Sequence, residues 1–416
     1  ELMDFQSLNP FNVRLNLLSG NLLPMTDNSS FSILWKIYSA IVWLFELVYT
    51  VTLMTAFFVV PKEKSLNDGV LAFITVLESG LIVVRIHTTQ TTLLQQIIRK
   101  INEILNIEDK NIKNIVITNL KPMETPFKLY FVCGTFAVFV WFFLAFSLVF
   151  EKDTFYYVDF RSPAVYSKEP FSINIFLLGS IITTISNVYI FLKKVSVDVY
   201  TTHLISLVAA QYQYIASRLV LLFQNSNQQD DSGFSENNFG VHFSLEKEIK
   251  NLCQQHNTII HTMLMLKKLL SLNIFLIYVN NVFRFCFLGI MAIKISVSFI
   301  EGFMVFVYAC GTITQFYILC ASFQKLSEAN SEITDKAFHE NWYQFNLSVQ
   351  RIFLMIIASN NIDIKLSLFE RFDLSLPSFM SVRYLINMCY IISNLMLVSV
   401  LKIKEFDITL KYFFRF

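Results

Sequence analysis

Glu46, Glu78 and Arg284 stand inside long apolar stretches of the sequence. Ionisable groups are costly in hydrocarbon and persist there where they pair with one another or serve a function. An ion pair through Arg284 and a place in a water-exposed vestibule both fit, and the sequence assigns no partner. Of the six histidines, His256 and His261 are close together, but a spacing of five puts them on different helix faces. No metal site is expected. Cys133, Cys286, Cys310 and Cys389 fall within apolar stretches, Cys320 near the end of one, and Cys253 in a connection. None is placed to form an extracellular disulfide. There is no Gly-rich phosphate loop, no Gly-x-Ser-x-Gly and no His-Glu-x-x-His. Neither catalysis nor a cofactor is expected.

The elements that must position these residues are membrane helices. A bilayer core needs roughly 20 apolar residues per helix. Seven stretches qualify: Phe31–Val60, Gly69–Leu94, Phe127–Phe150, Phe171–Leu192, Leu270–Ile293, Val297–Phe323 and Leu376–Leu401. With 54% hydrophobic residues, 43 Phe and 15% charged residues, the composition excludes an ordinary soluble globular chain. A net charge of +2, spread over scattered loops, gives no basic patch for nucleic acid. Lys and Arg concentrate in the connections between spans two and three, four and five, and six and seven. By the positive-inside rule these face the cytoplasm. The expected fold is therefore an all-α membrane protein of seven transmembrane helices, its amino end cytoplasmic and its carboxyl end extracellular. Glu1–Ser30 is polar and mixed, so no cleavable signal peptide is expected and the first span inserts the chain. The sequons at Asn28 and Asn346 fall on the cytoplasmic side of this arrangement and would go unused.

Between the fourth and fifth spans, Val195–Phe223 and Phe243–Leu269 keep helical periodicity on either side of a polar break, Gln224–Gly240. They read as amphipathic continuations of the neighbouring spans and form a cytoplasmic helical anchor layer. Phe338–Ile357 reads as another amphipathic helix, with Trp342, Phe345, Val349, Ile352, Phe353 and Ile356 at helical spacing. The chain then divides into a cytoplasmic amino-terminal segment (1–30), spans one to six with their extensions (31–337) and an anchor helix and linker (338–372). The last span (373–401) and an extracellular tail (402–416) complete it.

Trp342-Tyr343, Phe353-Leu354-Met355, Leu366, Phe372 and the run Leu374-Ser375-Leu376-Pro377-Ser378-Phe379 resemble the carboxyl-terminal signature of insect odorant receptors. The chain departs from that pattern at Ala358-Ser359-Asn360 and at Asn387-Met388-Cys389-Tyr390. The resemblance implies an odorant-gated, non-selective cation channel in the plasma membrane of olfactory sensory neurons, passing monovalent and divalent cations. It also implies assembly with the odorant receptor co-receptor as a heterotetramer around one pore. The chain lacks the co-receptor's large cytoplasmic insertion and so resembles the odorant-specific subunit.

That resemblance places the pore and gate at Ile391, Ile392, Asn394, Leu395 and Met396 of the final helix. An apolar ring closes a pore by excluding water, while a polar side chain such as Asn394 stabilises a hydrated ion. It assigns assembly to Trp342, Tyr343, Phe353 and Phe372. A pocket for a volatile hydrophobic ligand is expected in the outer halves of the spans, lined by Phe73 and Leu77, Trp141 and Ala145, Phe176 and Gly179, and Phe303 and Val307. Simple core or lipid packing would place the same residue types there. Three other classes fit the sequence less well. A G-protein-coupled receptor has the opposite orientation and an Asp/Glu-Arg-Tyr motif absent here; an insect gustatory receptor carries a Thr-Tyr and Gln-Phe signature, also absent. A transporter with broken helices needs more than ten Gly and eight Pro.

Overall fold

The computed structural model describes residues 3–27, 31–60, 62–89, 91–107, 110–160, 162, 165–230, 238–294, 299–360 and the paired segments 367–368 and 372–373. Helix α1 (Pro10–Ser19) begins where the Asn9 side chain accepts the Asn12 N–H and Pro10 occupies the first turn, where its missing N–H leaves no bond unmade. Gly20 ends it at φ 72°, a left-handed conformation that strains any residue with a Cβ.

The long helices follow: α2 (Ile33–Val59), α3 (Lys62–Thr88), α4 (Thr91–Leu105), α5 (Lys110–Phe143), α6 (Ile173–Asp230), α7 (Asn238–Lys294) and α8 (Phe299–Phe338). Among the described residues, five helices are long and apolar enough to cross a membrane, or six if α3 and α4 are one bent span. The seventh apolar stretch, Leu376–Leu401, lies outside the described residues. On α2, Leu34, Ile41, Leu44, Val51, Met54 and Phe58 are exposed. In a helix of this length such a surface suits lipid, where apolar side chains need no cover.

α6 and α7 run unbroken for 58 and 57 residues. At about 1.5 Å per residue each exceeds a roughly 30 Å hydrocarbon core more than twofold. The expected continuations Val195–Phe223 and Phe243–Leu269 are thus parts of single helices. α6 is the axis of the molecule, packed by α1, α2, α3, α5, α7 and α8.

Two expectations need correction. The stretch Gly69–Leu94 is two elements, because α4 turns by 65° from α3. Leu94, Ile97, Ile98, Ile101, Ile104 and Leu105 form one buried stripe on α4, and burying that stripe against α7 and α6 requires the turn. Phe338–Ile357 is also broken: Trp342–Gln344 form a 3-10 turn, and α9 spans Leu347–Asn360. The Asn346 side chain accepts the Val349 N–H at 3.0 Å and so caps α9, which gives the second sequon asparagine a structural task. Beyond α9, β1 (Ser367–Leu368) pairs antiparallel with β2 (Phe372–Asp373), the one ribbon among the described residues.

One hydrophobic core joins Phe5, α4, α6, α7, α8 and α9; it marks the anchor end. At the opposite, lid end, a smaller core gathers Ala145, Phe155, Tyr157, Phe160, Phe171 and Phe176. There Phe155 stacks on Phe176 at 4.1 Å and pairs with Phe171 through backbone hydrogen bonds.

Candidate functional site

Between the two ends, the ionisable residues read from the sequence meet partners. Arg284 on α7 lies 2.9 Å from the Glu78 carboxylate on α3, and Lys194 on α6 donates to the same oxygen at 3.0 Å. The Arg284 Nε–H also donates to the Tyr308 hydroxyl at 3.0 Å, and Nη1–H donates to Gln315 Oε1 at 2.7 Å. Gln315 passes the chain on, donating its amide to Asp198, which accepts from Arg85 at 2.9 Å. Tyr130 donates to Gln315 at 3.3 Å. A void of about 10 Å³ lies among Glu78, Arg85, Lys194, Asn280 and Gln315, about the size of a single water. Separately, Lys193 donates to Glu46 at 2.8 Å and sits 3.0 Å above the Trp43 ring. In low dielectric, each charge is tolerable because its partners are in place.

Sequence reasoning identified Glu46, Glu78 and Arg284; it missed Arg85, Lys193, Lys194, Asp198, Tyr130, Tyr308 and Gln315. Arg85 lies in the same apolar stretch as Glu78 and carries the same signal. Lys193, Lys194 and Asp198 follow directly after the fourth apolar stretch, where the first charges read as its end.

Next to this network is a cavity of about 200 Å³ between α5, α6, α7 and α8. Phe191, Ala137, Val138, Phe306 and Val307 supply apolar wall, and Tyr130, Arg284, Tyr308 and Thr312 supply polar atoms. Gly134 and Gly311 bring the backbones close: a Cβ at Gly134 would collide with the Phe191 ring, and one at Gly311 would sit 3.4 Å from Tyr130. A larger hollow of about 730 Å³ at the anchor end is lined by polar residues such as Asn111, Asp335 and His339.

The eight residues read as pocket lining fall into separate groups. Val307 lines the cavity; Phe303 precedes it by one turn, and Trp141 follows Ala137 by one turn. Ala145 and Phe176 belong to the lid core, with Gly179 packed under Tyr166 and Phe160. Phe73 on α3 is half exposed and meets Phe283 edge-on at 6.5 Å, with Leu77 one turn further along. At the anchor end, Phe353 is fully buried, 5.1 Å from the half-buried Trp342 ring and 5.4 Å from Phe223, while Tyr343 is exposed. Phe372 contributes backbone to the ribbon. Ile391, Ile392, Asn394, Leu395 and Met396 lie outside the described residues.

Comparison with known proteins supplies the family. Among curated proteins none matches the sequence. The fold is similar to that of the insect olfactory receptor OR5 from Machilis hrabei, with a TM-score of 0.75 at 12% identity over 94% of this chain and 99% of that one. The same receptor in complex with eugenol gives 0.76 at 12% identity, over 95% and 100%. The model of the family described as 7tm Odorant receptor matches residues 69–390, most of the sequence. The chain is a multi-pass membrane protein that belongs to the 7tm odorant receptor family, a family of receptors and not of enzymes.

Proposed function

We propose that the chain is the odorant-specific subunit of a ligand-gated, non-selective cation channel that assembles with the odorant receptor co-receptor around one pore. The observation that carries this reading is the family match over residues 69–390. The eugenol complex of a receptor with the same fold supports a small apolar ligand. In this reading the amino end is cytoplasmic, and the channel sits in the plasma membrane of olfactory sensory neurons. Ligand contact falls to Trp141, Phe303 and Val307, together with Phe73, Leu77, Ala145, Phe176 and Gly179. Ile391, Ile392, Asn394, Leu395 and Met396 form the pore and gate, and Trp342, Tyr343, Phe353 and Phe372 serve assembly.

Expression with and without the co-receptor, with currents recorded against a panel of volatile compounds, tests the reading. A ligand-evoked cation current only in co-expressing cells is expected. Surface-expressed chain that gives no current with any volatile, alone or with the co-receptor, would overturn it.

A further inference from the structure

The cavity between α5, α6, α7 and α8 has apolar walls and a polar floor, and the floor decides what it can hold. Its volume of about 200 Å³ is below the roughly 300–1,000 Å³ typical of drug-sized pockets, so it suits a small molecule. The rim residues Leu129, Cys133, Phe306 and Cys310 are exposed, and on membrane helices that places the mouth toward hydrocarbon. At the floor, the Tyr308 oxygen accepts from Arg284, which leaves the Tyr308 proton to donate. The guanidinium has five N–H donors, more than Tyr308, Glu78 and Gln315 use.

We propose that this cavity seats the polar end of the ligand, taking a small apolar molecule that bears an acceptor oxygen, carbonyl or carboxylate, against Arg284 and Tyr308. The proposal rests on the reading of the chain as a receptor for small apolar ligands and adds the chemical class of those ligands. Apolar wall on α5 and α8 takes the hydrocarbon part, which enters from the bilayer. An acceptor placed at the floor finds donors already held by Glu78 and Gln315, so little ordering is needed on binding.

The test uses the purified full chain in lipid nanodiscs and four probes of similar length: 2-heptanone, methyl hexanoate, hexanoate and heptane. Binding is read by ligand-observed NMR. The three oxygen-bearing probes should bind roughly tenfold tighter than heptane, the worth of one well-made hydrogen bond. Tyr308→Phe keeps the ring beside Arg284 and should reduce that advantage while leaving heptane unchanged. Cys310→Phe, at the exposed rim, should block all four probes and covers the case in which the floor variant does not fold. Heptane binding as tightly as the ketone would mark a groove for hydrocarbon only and overturn the proposal, as would a Tyr308→Phe variant that weakens all four probes equally. Currents separate this proposal from the channel reading. A co-expressed channel that answers volatiles, while the purified chain shows no preference for oxygen, overturns the site and leaves the channel. The expected binding pattern with a silent channel supports the site and overturns the channel.

Discussion

Lys193 illustrates how a charged side chain survives inside an apolar helix bundle. Its ammonium is fully buried, donates to Glu46 at 2.8 Å and lies over the Trp43 ring, so both Coulomb attraction and the ring face offset lost hydration. Removing one partner leaves an uncompensated buried charge, whereas removing both leaves none. Lys193→Met or Glu46→Leu alone should therefore cost about 3–5 kcal/mol, and the double variant should return close to the parent. Thermal unfolding of the four proteins as a double-mutant cycle checks this; additive losses would mean that each charge leans on other groups. The same residues show what was legible at this scale. Glu46, Glu78 and Arg284 stand out in sequence because each interrupts a long apolar stretch. Their partners on α6 do not, since hydropathy ends a span at its first charges even where the helix continues and the charges are neutralised by neighbours.

The helices at the anchor end read well from periodicity and poorly from boundaries. The row Val349, Phe353 and Ile356 on α9 follows the helical spacing read from the sequence, whereas the buried stripe on α4, though it keeps the same spacing, was not singled out there. The break at Trp342–Gln344 escaped notice because its apolar residues keep the helical interval while the backbone leaves the helix. This changes which aromatic side chain matters most. Trp342 is half-buried, whereas Phe353 is fully buried and packs edge-on to Phe223. Phe353→Ala should cost about 3–5 kcal/mol, and Trp342→Ala clearly less. Both should reduce assembly at the cell surface without altering ligand rank order, since the cavity near Arg284 is built from α5, α6, α7 and α8. Surface biotinylation together with dose–response curves for two ligands checks the outcome. Altered rank order at normal surface levels would place Phe353 in ligand recognition. Asn360 reinforces the same layer: its amide donates to the Asn330 carbonyl at 2.7 Å and to Thr334 at 3.1 Å, fastening α9 to α8. It stands where the odorant receptor signature differs, so a departure in sequence here still closes a packed contact.

At the scale of the whole molecule, the helix ends that flank the basic connections converge with the amino-terminal segment. Phe5 packs on Tyr200 and His203, and its N–H is held by Asn102, so the start of the chain joins the same core as α4, α9 and the far half of α6. Leu105 and Ile112, Phe223 and Leu245, and Ile333 and Phe345, which flank the connections from α4 to α5, α6 to α7 and α8 to α9, belong to this core, while Phe155, Tyr157, Phe160 and Phe171 close the lid end. Periodicity and charge made this arrangement legible in outline; the pocket was not, because a chain with 43 Phe presents aromatic faces on most of its helices and only tertiary contact shows which enclose space. Since Lys and Arg favour the cytoplasmic side, the proposed orientation, with the amino end and this core inside the cell, is testable. An epitope before Glu1 should be unreachable by antibody in intact cells, and one inserted after Lys152, on the exposed lid turn, should be reachable. Permeabilising the cells should expose the first and leave the second unchanged. The reverse labelling pattern would put the anchor core outside the cell and overturn the orientation on which the channel reading depends.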